Sequence, residues 1–286
     1  MLPYIFLLSS AFFHALWNSL LKKQSNHSKI VLFQAIFFAT CVGWILVFIS
    51  RDWYYGKALP LTFVAGIIEG LYFITLTKAL AQAPIAVSYS IMRSLSMLVT
   101  WLLSYVVLRE QLSLVGAIGV LSILLGLSLP IISQKNSRSP KNDTKYFWSY
   151  ICALTIVGYN FIYNRALQLD ISPLLLFTTS LTITLPMLFF TLSKKNRFEV
   201  LQFNPQNNHY KISFLIGCIV LFSFTTFLYG LKDTLPALAI TLRNASIPFA
   251  LILSNFMGEK LQKFDLIVLL FILFGVLIVS VATLIQ

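Results

Sequence analysis

Ten stretches of about twenty consecutive, mostly apolar residues follow one another along this chain of 286, at 2–21, 30–50, 58–80, 84–107, 112–132, 146–165, 172–192, 211–231, 236–257 and 264–285. A helix of that length rises about 30 Å, the depth of a bilayer's hydrocarbon core. Backbone groups find no partner in lipid, so a spanning segment is either a helix or part of a closed barrel. The stretches are unbroken and about twice the length of a membrane strand, which selects helices. Hydrophobic residues make up 58% of the chain and charged residues 10%, far from the balance of a soluble domain. The expected fold is therefore an all-α integral membrane protein with ten transmembrane helices.

The first stretch reads as a span rather than a cleaved leader. No basic residue precedes it, and it runs into Lys22-Lys23. Cys41, Cys152 and Cys218 all fall inside spans, which argues against a disulfide or zinc framework. The net charge of +12 would suit nucleic acid if it formed a patch, but it is segregated into alternate loops, the mark of membrane topology. Nucleic acid is excluded as a partner on that ground, and membrane lipids are expected partners of the basic loops. One set of loops holds fourteen basic residues and the other five, the remaining two being Arg93 and Arg243. The richer set should face the cytoplasm, which places both termini outside.

The segment 134–145 is polar and basic and contains Pro140. It separates a first five-helix repeat, 1–133, from a second, 146–286. Five spans per half make the second half enter from the opposite side, the plan of an inverted repeat. Short matches recur in order between the halves. Trp17-Asn18 answers Tyr159-Asn160, and Phe63-Val64-Ala65-Gly66 answers Phe214-Leu215-Ile216-Gly217. Arg93 with Ser96 answers Arg243 with Ser246, Glu110-Gln111-Leu112 answers Glu259-Lys260-Leu261, and Gly126 answers Gly275.

Two of these matches are costly. A charge at bilayer depth costs roughly 3 kcal/mol or more, so Arg93 and Arg243 mark a functional centre by default. Glu69 and His14 also fall near the middle of their spans, and one layer between the halves would hold all four. Arginine presents a fork of donors suited to carboxylate or phosphate. Two arginines and one glutamate leave one positive charge for an anionic group to balance. The alternative is that the arginines pair with Glu69, carbonyls or water and only hold helices together. Burial favours the neutral form of a carboxyl and a nearby arginine the charged form, which makes Glu69 a proton-carrier candidate with His14 beside it. Polar stripes at helical spacing add His14, Trp17 and Asn18; Glu69 and Tyr72; and Tyr89, Arg93 and Ser96. The candidate substrate-binding set is thus Arg93, Arg243, Glu69, His14, Trp17, Asn18, Tyr72, Tyr89, Ser96, Asn160, Asn244 and Ser246, with Glu69 and His14 as proton-coupling residues.

The motifs His14-Ala15-Leu16-Trp17-Asn18, Val87-Ser88-Tyr89-Ser90-Ile91-Met92-Arg93, Arg243-Asn244-Ala245-Ser246-Ile247-Pro248 and Gly258-Glu259-Lys260-Leu261 resemble the EamA family of the drug/metabolite transporter superfamily, in a branch with a His-Ala-x-Trp-Asn opening. Two positions depart from that branch: it usually carries proline at Ser90 and histidine at Glu69. Most EamA proteins are described with both termini cytoplasmic, opposite to what the loop charges here imply. The resemblance implies export or exchange of small metabolites. No catalytic, metal or cofactor motif accompanies it, so neither an enzyme nor a cofactor is expected. The reading is a secondary transporter of a small anionic or zwitterionic metabolite in the cell membrane, working by alternating access between the repeats. The alternative is a translocator of a lipid or lipid-linked phosphate carrier. A second copy of the chain, as a homodimer, is a further candidate partner.

Overall fold

The computed structural model describes residues 2–24, 27–82, 85–109, 113–135, 146–201, 209–256 and 263–285. Among the described residues helix occupies part of each of the ten apolar stretches and one segment between them, as α1 (Leu2–Lys23), α2 (Ser28–Ser50), α3 (Leu59–Gln82), α4 (Ile85–Leu103), α5 (Leu114–Lys135), α6 (Phe147–Leu167), α7 (Pro173–Thr191), α8 (Lys194–Leu201), α9 (His209–Lys232), α10 (Pro236–Arg243), α11 (Ser246–Phe256) and α12 (Lys263–Ile285). Of these, α8 is a short polar helix between stretches. The turn Glu110-Gln111-Leu112, most of the linker and the segment 257–262 with Glu259 lie outside the described residues.

Six helices among the described residues are long and apolar enough to cross a membrane: α1, α2, α3, α4, α7 and α9. Shorter apolar runs, Leu114–Leu129 and Leu266–Val279, lie in α5 and α12. The outer surface matches a lipid solvent. Phe48, Val106, Leu114 and Leu277 are all more than 60% exposed, an apolar display that water would penalise. The chain is a multi-pass membrane protein. Inside, hydroxyls bond to backbone oxygens across helix contacts: Thr184 to Gly66, Ser122 to Phe271 and Ser223 to Ser10, each near 3 Å.

The ninth stretch, expected as one continuous span, is instead two helices. After Arg243 the chain turns tightly, with Asn244 N bonded to Thr241 O and Ala245 N to Leu242 O, before α11 begins at Ser246. Pro248 supplies the reason. It has no N–H to offer the carbonyl four residues back, that of Asn244, and its ring crowds that carbonyl. Arg243 thus closes α10 at a C-terminus, where the helix dipole favours a cation.

The most extensive helix contacts are kept when the helices of one half are exchanged for their sequence matches in the other. The α1–α9 contact answers α6–α3, α2–α9 answers α7–α3, and α11–α1 answers α4–α6. The α5–α12 and α2–α7 contacts answer themselves. Two matched glycines sit at matched crossings. A Cβ on Gly217 would lie 2.4 Å from Ala35 O of α2, and one on Gly66 3.0 Å from Ser180 O of α7. Both permit close backbone approach, the usual role of small residues where membrane helices cross.

Candidate functional site

The helix α1 carries His14, Trp17 and Asn18 on one face, at i, i+3 and i+4. Both aromatic rings are buried, and they meet edge to face at 5.2 Å. Asn18 is oriented by two bonds: its Nδ2 donates to His14 O at 2.7 Å, and its Oδ1 accepts from Tyr89 OH of α4. One turn beyond Tyr89, Arg93 places Nη2 2.6 Å from His14 Nε2. From α10, Arg243 places its Nη2 3.3 Å from His14 Nδ1, which Trp17 Nε1 also approaches at 3.3 Å. Arginines matched between the halves and 150 residues apart in sequence therefore meet on opposite nitrogens of one imidazole.

Arg243 is 1% exposed. Its guanidinium carbon lies 4.4 Å from the centre of the Phe224 ring and 4.0 Å from that of Phe227, both on α9. A desolvated cation–π contact is worth about 2 kcal/mol. It leaves the donors at the guanidinium edge unmet: Nε and Nη1 have no hydrogen-bond partner. Phe224 is itself fixed by stacking on Phe177 at 4.8 Å and 5°. Buried donors left unmet cost about 1–3 kcal/mol each, more when charged, so this edge is a demand for acceptors.

A second polar cluster adjoins the first. Glu69 of α3 is fully buried and accepts from Tyr163 OH of α6 through Oε2, while Oε1 has no partner. The pairing of Glu69 with an arginine, considered from the sequence, is not made. A tyrosine takes that place because α6, not α4 or α10, packs along α3 at this level. Tyr72 and Tyr159 complete the cluster, with ring centres 5.3 Å apart and Tyr159 5.6 Å from Tyr163. Phe73 and Phe224, 6.5 Å apart, join the two clusters, Phe73 touching Tyr72 and Phe224 touching His14.

The structure thus gathers Arg93, Arg243, His14, Trp17, Asn18 and Tyr89 in one network and sets Glu69 and Tyr72 in the next. The others stand apart from the His14 network. Ser96 Oγ bonds to Arg93 O of its own helix. Asn160 Nδ2 bonds to Ile156 O at 2.7 Å, the same backward bond that its match Asn18 makes, and its Oδ1 is unpartnered. Asn244 donates to Met97 Sδ at 3.0 Å from the break after α10, and Ser246 is buried at the first residue of α11. Sequence reasoning missed Tyr163, Phe224 and Phe227. The polar spacing of Tyr159, Asn160, Tyr163 and Asn164 on α6 was a signal for the first; the phenylalanines carried none among the 25 in the chain.

The model of the EamA-like transporter family matches residues 144–281. No curated protein matches the chain. A solved crystal structure, described only as that of a protein, superposes with a TM-score of 0.73 over 99% of this chain and 98% of its own, at 15% identity. That likeness is one of fold.

Proposed function

With residues 144–281 belonging to the EamA-like transporter family, we propose that this membrane protein is a secondary active transporter, an exporter or exchanger, of a small anionic or zwitterionic metabolite. Two inverted five-helix repeats, 1–133 and 146–286 joined by 134–145, rock about a centre lined from both sides. The exchange symmetry of the helix contacts supports that plan, as do the matched glycines at matched crossings.

One observation carries the choice of substrate charge. Arg243 is buried against the rings of Phe224 and Phe227 with its Nε and Nη1 unpartnered, beside a second arginine and a histidine that offers few acceptors. A carboxylate or phosphate supplies in-plane acceptors to such a fork. Trp17, Asn18, Tyr89 and Tyr72 then form the walls, with Asn160, Asn244, Ser96 and Ser246 reached as the halves move. Glu69 and His14 are the proton-coupling candidates. The protein sits in the cell membrane with its termini outside.

The test is thermal unfolding of purified protein with carboxylates, phosphates, zwitterions and cations side by side. A ligand that binds the folded state at 100 times its Kd adds about 2.7 kcal/mol. Stabilisation by anions or zwitterions, lost in Arg243→Ala, is expected; stabilisation by cations alone refutes the reading.

A further inference from the structure

His14 faces more donors than it can serve. Arginine and the tryptophan indole carry no acceptor lone pair, and a neutral imidazole offers one acceptor nitrogen and one N–H. Here Arg93 Nη2 stands at Nε2, while Arg243 Nη2 and Trp17 Nε1 both stand at Nδ1. Among the described residues the contacts recorded at the ring's nitrogens are all with donors, so a doubly protonated ring would point both of its N–H groups at cations. A neutral ring can satisfy one arginine at a time, never both.

The distances say which. The 2.6 Å contact to Arg93 is that of a charge-assisted hydrogen bond. The two 3.3 Å contacts at Nδ1 are long and shared. The lone pair on Nε2 and the proton on Nδ1 keep the one short contact and give up the two long ones. With the proton on Nδ1, both Arg243 Nη2 and Trp17 Nε1 lose that nitrogen as an acceptor, and Nε and Nη1 of the buried Arg243 guanidinium already have no partner.

We infer that His14 is a tautomer-controlled latch: in this conformation it holds Arg93 and leaves Arg243 as the anchor for the substrate's anionic group. Moving one proton from Nδ1 to Nε2 breaks one N–H bond and forms another, with water as carrier and no net change of charge. Nδ1 then accepts from Arg243, and Arg93 is released. Because Arg93 belongs to the first half and Arg243 to the second, the tautomer records which half offers the anchor. The word substrate rests on the function proposed above; the tautomer does not.

The chain has three histidines, so His27→Gln with His209→Gln leaves His14 alone. Full-length protein of that form, labelled with nitrogen-15 histidine in micelles, reports each ring nitrogen separately as protonated or bare. The expected spectrum has Nδ1 protonated and Nε2 bare. Adding Arg93→Met should reverse the two, and adding Arg243→Met should leave them as they were. A spectrum with both nitrogens protonated, one with the proton on Nε2 before any arginine is changed, or one indifferent to a folded Arg93→Met overturns the latch. If Arg93→Met does not fold, the parent and Arg243→Met spectra decide: Nδ1 protonated in both upholds the latch, and anything else overturns it. Failure of anions to stabilise the protein would sink the transport reading while leaving this pattern intact, so the two failures are distinguishable.

Discussion

Replacing Gly217 by alanine should loosen the whole centre from a distance. The new Cβ would stand 2.4 Å from Ala35 O, where ordinary contact begins at 3.4 Å, so α2 and α9 must part by about 1.0 Å. The obstacle is backbone, which cannot rotate aside. Overpacking of this kind costs about 1–3 kcal/mol. Alanine returns up to about 1 kcal/mol through its helix propensity. Because backbone cannot give, the cost takes the upper part of that range, about 2–3 kcal/mol, and the net loss is about 1–2 kcal/mol, a fall in Tm of roughly 2–8 °C at about 2–4 °C per kcal/mol. Function should suffer more than stability, because Phe224 and Phe227, which pack on Arg243, ride on the same helix two and three turns further on. Gly66→Ala, at the matched crossing, should behave alike, with Ile183 Cβ at 2.8 Å and Ser180 O at 3.0 Å. Gly158→Ala is the control: its Cβ meets only the side chain of Ile68, at 3.2 Å and 3.6 Å, which can give. Thermal unfolding in detergent, read by loss of the monodisperse peak, measures all three. If Gly217→Ala is as stable as the parent, or Gly158→Ala falls equally, the reasoning about backbone approach is wrong.

Tyr163→Phe strips Glu69 of its one hydrogen bond and should lower stability by about 0.5–1.5 kcal/mol for a neutral acceptor or about 1.5–3 kcal/mol for a charged one; no loss would mean the pair does not hold α3 to α6. Glu69→Gln keeps size and hydrogen bonding but fixes the neutral state, so transport in vesicles should persist as exchange while losing its response to a pH gradient; full gradient-driven transport would rule out Glu69 as the coupling group. Pro248→Ala restores an N–H toward Asn244 O and should retain stability while impairing transport, since a straightened helix carries Arg243 away from His14; unchanged transport would show the break to be incidental. A C-terminal reporter active only in the cytoplasm should be silent, and a bright signal would reverse the orientation drawn from the loop charges.

Much of the plan was legible in the chain because it rests on local or periodic properties. Apolar stretches of bilayer length dictate helices, whatever they pack against. The sequence matches of Arg93 with Ser96 to Arg243 with Ser246, and of Gly66 to Gly217, were visible as well. The break after Arg243 was also written, in Pro248, yet hydropathy averaged over twenty residues hides a single missing N–H. The same averaging made α6 look like its neighbours, although Tyr159, Asn160, Tyr163 and Asn164 give it a polar face and it falls outside the six helices apolar enough to cross a membrane.

The sequence by itself determined a helical membrane protein with two costly arginines, a glutamate and a histidine at depth, since transfer free energies and helical rise depend only on residues near one another in the chain. Which groups meet was decided by tertiary packing. His14 lies 79 residues from Arg93 and 229 from Arg243, and Glu69 lies 94 from Tyr163. Hydrogen bonds form only within about 3 Å, a distance fixed by how α1, α3, α4, α6 and α10 cross rather than by anything in their spacing. The partner of Glu69, the aromatic walls around Arg243 and the division of one imidazole between two arginines belong to that packing alone.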